Sequence, residues 1–72
     1  MESLRLDDIN VTLYEGNHIR IGEFNNTDFT VHFGWYSFAG NREVCGWYLE
    51  SQDKKIRPLM KTDIPDIYMI RR

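Results

Sequence analysis

An all-β fold is predicted: a small antiparallel barrel, or a strongly bent sheet, of five or six strands in a single small β domain spanning residues 1–72. Three observations predict it. Apolar and polar residues alternate along nearly the whole chain, while helical periodicity is hard to find. Short polar turns recur at regular spacing. Aromatic residues make up 14% of the chain, which suits a small domain that must bury much surface with few side chains.

The strands follow in order. "INVTLY" alternates Ile9, Val11 and Leu13 with polar partners. "HIRIGEF" comes after Glu15-Gly16-Asn17, whose Gly-Asn pair suits a tight turn. "FTVHFGWYSF" and "EVCGWYLE" flank a second Gly-Asn pair, Gly40-Asn41. "KKIRPLM" follows the polar turn "SQD", and "IPDIYMI" ends the chain after Thr62-Asp63, a short turn or single helical turn. Pro58 and Pro65 cannot donate to a ladder, so they belong at strand ends or an edge.

The sequence contains Gly-Trp-Tyr twice, at residues 34–36 and 46–48. With Gly40-Asn41 as a two-residue turn, Trp35 falls opposite Gly46 and Trp47 opposite Gly34. Each tryptophan then covers the other motif's glycine, a reciprocal lock. That register leaves both faces of the hairpin apolar, with Val31, Phe33, Trp35, Val44 and Tyr48 on one and His32, Tyr36, Phe38, Cys45, Trp47 and Leu49 on the other. Either the hairpin bends around a closed barrel, or one aromatic face is an exposed patch that meets a partner.

Net charge is −2 and unevenly spread. Residues 1–28 set Arg5 and Arg20 against Glu2, Asp7, Asp8, Glu15, Glu23 and Asp28, whereas Lys54, Lys55, Arg57 and Lys61 cluster in the later half. The opening "MESLRLDDIN" is acidic and broken, so no signal peptide is expected. The single cysteine, Cys45, allows no intramolecular disulfide. The expected location is cytoplasmic.

No enzyme is expected. His32 and Cys45 stand four strand positions apart in this register, about 13 Å at ~3.4 Å per residue, beyond reach of a nucleophile and its base. His18, His32 and one cysteine offer no metal-ligand spacing, no phosphate-cradling glycine loop is present, and no cofactor is expected.

At three places the chain resembles Src-homology-3 (SH3) domains. "TLYEG" is similar to that family's opening "ALYDY", Trp47-Tyr48 stands where the family has adjacent tryptophans, and "IPDIYM" is similar to the closing "IPSNYV". Gly16 replaces the second tyrosine of the opening motif, and Glu50 stands where the family has a small or apolar residue. The resemblance implies an SH3-like barrel with Tyr14, Trp47, Pro65 and Tyr68 lining a partner-binding groove for a proline-rich segment. Glu15, Glu23 and Asp28 would supply the acidic loop beside it.

A second stretch, "FTVHF", is similar to the "VFVHF" strand of cold-shock domains. That resemblance implies single-stranded nucleic-acid binding, with Phe29, His32 and Phe33 stacking bases and Lys54, Lys55 and Arg57 contacting phosphates. The family's preceding "KGFGFI" strand has no counterpart here. The primary expectation is a non-enzymatic protein-binding module, adaptor, inhibitor or assembly protein acting through an aromatic surface. A phage or mobile-element accessory protein working as an oligomeric structural part is a further alternative, because unpaired edges and an apolar face can meet a second copy.

Overall fold

The computed structural model describes residues 2–22, 27–40 and 42–70. Among them lie seven strands: β1 (Ser3–Leu6), β2 (Val11–Tyr14), β3 (His18–Ile21), β4 (Asp28–Tyr36), β5 (Val44–Ser51), β6 (Ile56–Pro58) and β7 (Ile67–Met69). A short 3-10 helix, Asp7–Ile9, joins β1 to β2, and a second, Lys61–Asp66, precedes β7. β1 and β2 form a two-stranded sheet, and the other five form an antiparallel sheet in the order β6-β5-β4-β3-β7. Its edges, β6 and β7, do not pair with each other, so among the described residues the hydrogen bonding does not close into a barrel.

β1 was not expected. Its alternation is short, yet Leu4 and Leu6 face Leu13 and Val11 across the ladder, and this leucine-rich face packs on the larger sheet. Asn10 closes the connection in the left-handed conformation (φ 55°), which asparagine tolerates. The Arg5 guanidinium donates to Asp7 Oδ1 at 3.2 Å, to Thr12 Oγ1 at 3.1 Å and to Asn10 Oδ1.

The Gly16-Asn17 turn forms, with Gly16 at φ 93° and Asn17 N–H donating to the Tyr14 carbonyl at 3.1 Å. It does not make a hairpin of β2 and β3, however. It carries the chain from one sheet to the other, because β2 pairs with β1 and β3 with β4 and β7. Thr62-Asp63 lies in the second 3-10 helix, as does Pro65, while Pro58 ends edge strand β6.

The β4–β5 register differs from expectation by one residue. Trp35 lies opposite Cys45, Gly34 opposite Gly46, and Phe33 opposite Trp47, so the reciprocal tryptophan-over-glycine lock does not exist. Residues 37–43, not a two-residue turn, separate the strands. Ala39 and Gly40 take positive φ, and Asn41 lies outside the described residues.

The physical reason is pattern matching between faces. The expected register sets Glu50 opposite Val31 on the core face. The observed one collects Phe29, Val31, Phe33 and Trp35 with Ser51, Leu49, Trp47 and Cys45 on the inner face. The outer face receives Thr30, His32 and Tyr36 with Glu50, Tyr48 and Val44. A shift of one residue sends every side chain to the other face, so a buried face selects the register strongly. The two apolar faces of the expected hairpin thus become one apolar inner face and one mixed outer face.

The core lies between the two sheets: Leu6, Leu13, Ile19, Phe29, Val31, Leu49 and Ile67 are buried, with Trp47, Leu59 and Ile64 packed against them.

Gly34 has φ 155° in mid-strand, a conformation side chains resist, whereas Gly46 opposite it does not, and neither has a heavy atom within 4 Å of where a Cβ would stand. Gly34→Ala is therefore expected to cost about 1–3 kcal/mol through backbone strain. Gly46→Ala is expected to be neutral or to stabilise by up to about 1 kcal/mol. Urea denaturation of both variants measures the difference.

Candidate interaction surface

β4 is nine residues long, but β3 covers only its first part and β6 covers only the far part of β5. The remainder, Phe33–Tyr36 against Val44–Trp47, is a two-stranded arm reaching past the rest of the sheet. On its inner side Phe33 and Trp47 rings stand 5.1 Å apart and tilted by 58°. Trp47 is half-buried against the core, whereas Trp35, one row further out, is 70% exposed. Cys45, opposite it, is exposed, as are Phe38 (42%) in the connection and Val44 (47%) on the outer face opposite Tyr36.

The outer side of the arm carries an aromatic row. His32 stacks on Tyr48 with centroids 5.3 Å apart, and Tyr36 approaches Tyr48 at 4.8 Å. Glu50 Oε1 lies 3.0 Å from His32 Nε2, and Glu15 Oε2 lies 4.0 Å from His32 Nδ1. Two carboxylates thus flank one imidazole on a half-buried face.

The residues nominated for a peptide groove do not share one face. Tyr14 ends β2 and is exposed, Pro65 is exposed in the second 3-10 helix, and Trp47 is on the inner face of β5. Tyr68 is half-exposed on the outer face, opposite Arg20. Of the acidic residues placed beside that groove, Glu15 sits at the arm, Asp28 is paired with Arg20 at 2.8 Å, and Glu23 lies outside the described residues.

The residues nominated for nucleic acid divide likewise. Phe29 is buried and Phe33 is half-buried on the inner face, while His32 is on the outer face. Lys54 and Lys55 are exposed in the β5–β6 turn, Lys54 with φ 68°. Phe29, Lys55 and Arg57 do meet, at an open cleft of about 290 Å³ that Thr27, Ser51, Asp53 and Ile56 also line.

Arg57 is already engaged there. Its guanidinium carbon stands 5.3 Å from the Phe29 ring centroid, and Nη1 donates to Asp63 Oδ2 at 2.8 Å and to the Pro58 carbonyl at 3.2 Å. Asp63 Oδ2 also accepts the Met60 N–H at 3.0 Å, while Asp63 N–H donates to the Met60 carbonyl at 3.0 Å. This side-chain reach-back is the returning half of a capping box. It ties β6, the helix and the core together.

The sequence alone did not single out Trp35. The exposed tryptophan follows from strand length and register, neither of which one sequence states. Among the described residues no helix is long and apolar enough to cross a membrane, and no three His, Cys, Asp or Glu side chains gather as a metal site. Comparison of the chain with protein-family models, with curated proteins and with solved structures finds no match.

Two outcomes follow from these placements. Trp47→Ala removes a ring packed on the core and is expected to cost about 3 kcal/mol, at the lower end for a core aromatic. Trp35→Ala removes an exposed ring and is expected to change stability by less than about 0.5 kcal/mol. Thermal and urea unfolding of the pair checks both.

A further outcome concerns Asp63. Burial pushes its carboxyl up, but the Arg57 hydrogen bond, the Met60 N–H and the Arg57 charge together hold it below the usual carboxylate value of 3.8. A depressed folded pKa stabilises the fold above the unfolded value, and that contribution disappears as pH falls through the folded one. Asp63→Asn is expected to cost about 1–3 kcal/mol at neutral pH, as for loss of a charged hydrogen bond. The variant should also lose less stability than the parent between about pH 5 and pH 2, a difference that urea titrations at each pH measure.

Proposed function

We propose that the protein is a non-enzymatic protein-binding module, of SH3-like β layout, that docks through the aromatic arm of its β4–β5 hairpin in the cytoplasm. One observation carries the reading: Trp35 is 70% exposed on the inner face of the arm, opposite exposed Cys45. An exposed aromatic ring at an uncovered strand edge supports an interaction site there. Tryptophan is also among the residues that dominate binding energy when a partner covers them. Trp47 and Phe33 stand one row behind Trp35 on the same face.

Tyr14, Pro65 and Tyr68 are exposed and belong to this reading as secondary contacts, while Trp47 serves as support. The acidic early segment adds a field that steers a basic partner and raises its association rate. Adaptor, inhibitor and assembly protein, including a phage accessory part, are forms of the same reading. The nucleic-acid alternative draws less support, because Phe29 lies beneath Arg57 and Arg57 is held by Asp63.

Selection of displayed peptides and protein fragments against the full chain, with counter-selection on Trp35→Ser, tests the proposal. Expected are binders of about micromolar affinity that lose tenfold or more on the variant, equivalent to about 1.4 kcal/mol or more. Binders that ignore Trp35, or none at all, would sink it.

A further inference from the structure

The main chain of the arm points somewhere definite. Val31 N–H donates to the Asn17 carbonyl at 2.9 Å, and Gly16 N–H donates to the Val31 carbonyl at 2.7 Å. Odd-numbered residues of β4 therefore direct their backbone groups toward β3. On β5, Ser51 N–H donates to the Lys55 carbonyl at 2.9 Å and the Trp47 carbonyl accepts from Leu59 N–H at 3.2 Å, so its odd-numbered residues face β6. The two strands then bond each other through even-numbered residues, as antiparallel alternation requires.

Phe33 and Trp35 consequently aim N–H and C=O into a lane that β3 has already left. Glu15 Oε2 accepts the Phe33 N–H at 3.5 Å, a carboxylate standing where a neighbouring strand's carbonyl would be. No described strand reaches Trp35 from that side. An edge with unpaired donors and acceptors is a template for another extended chain.

We propose that a second copy of this chain occupies that edge, β4 against β4, antiparallel about a two-fold axis at Trp35. The inference rests on the protein-binding reading and names a partner for the same arm. Self-complementarity carries it: about such an axis, the N–H and C=O of Trp35 bond those of Trp35 in the second copy. The two exposed indoles meet on the inner face.

On the outer face Tyr36 of each copy comes opposite Gly34 of the other, where nothing occupies the space a Cβ would meet. An aromatic ring over a cross-strand glycine is a stabilising pair. A two-fold axis at Gly34 instead would drive the second strand into the Glu15–Gly16 turn, which already sits beside Val31 and Phe33. The arm offers Trp35 on the inner face and Tyr36 on the outer face for burial. That is a few hundred Å² per copy against about 800 Å² for a standard interface, so the dimer is weak and depends on concentration.

Sedimentation equilibrium of the full chain, from about 5 μM to 1 mM, measures it against the affinities such small interfaces give. A monomer–dimer equilibrium is expected. Trp35→Lys should weaken it at least tenfold without changing the circular dichroism spectrum or Tm, since the side chain is exposed, and Trp35→Phe should retain it. A chain that stays monomeric to 1 mM, or a dimer indifferent to Trp35→Lys, overturns the proposal. Selected binders that need Trp35 on a strictly monomeric chain would overturn the dimer alone and leave the docking function standing. Loss of both would overturn both.

Discussion

The structure depends on the register of β4 against β5. These are the two longest strands; β3 and β6 attach directly to them, and β7 attaches through β3. Their pairing places Val31 opposite Leu49 and both are fully buried. That buried pair fixes the parity of the whole sheet, since antiparallel alternation allows only one set of faces once two opposed residues are inside. From it follow the burial of Ile19 through Phe29, the inward position of Ile67 through Ile21, and the outward position of Glu50. Gly34 opposite Gly46 lies on the outer face of the same ladder, where no side chain is needed for packing.

The second support works at the sheet's far edge. Strand β6 is three residues long and ends in Pro58, so few ladder bonds hold it. Arg57 compensates from a half-buried position: its charge lies over Phe29, and its hydrogen bond to Asp63 reaches the helix that leads into β7. An exposed ion pair of this type contributes little, but here both side chains are largely covered and share one carboxylate oxygen with a backbone N–H. The basic cluster that looks in sequence like a phosphate-binding face is thus divided. Arg57 is structural, while Lys54 and Lys55 remain on the surface.

Much of the fold was legible in the sequence because alternation is a local signal. The alternating run "INVTLY" contains β2, and "FTVHF" and "WYLE" lie within β4 and β5. What could not be read was pairing. Gly40-Asn41 looked like a two-residue turn, but the connection spans residues 37–43, and a loop of that length leaves register to the side chains of the strands. Charge would have decided it: only one of the two registers keeps Glu50 off the face that holds Val31.

β1 escaped for a different reason. Its acidic neighbours Asp7 and Asp8 belong to a 3-10 connection, and they mask the leucines of "SLRL" in any window that averages over both. The four residues nominated for a groove came from matches to short motifs, which state nothing about face. Trp47 and Tyr68 therefore arrived on opposite sides of one sheet.

The arm itself is a consequence of unequal strand lengths. A central hairpin flanked by strands of four and three residues must overhang them, and the overhang lacks the second sheet that buries the rest of its inner face. Proteins usually blunt such an edge with a charged side chain, a proline or a twist. Here Glu15 covers one backbone donor, at Phe33, and the next residue whose backbone faces that edge is the most exposed large hydrophobic residue described, Trp35. A tryptophan placed one row beyond its support adds nothing to the core, whereas a lysine there would protect the edge at no structural loss. The combination of an uncovered strand edge and an exposed indole is therefore the part of the molecule that its own folding does not require, and it is there that the proposed docking function is placed.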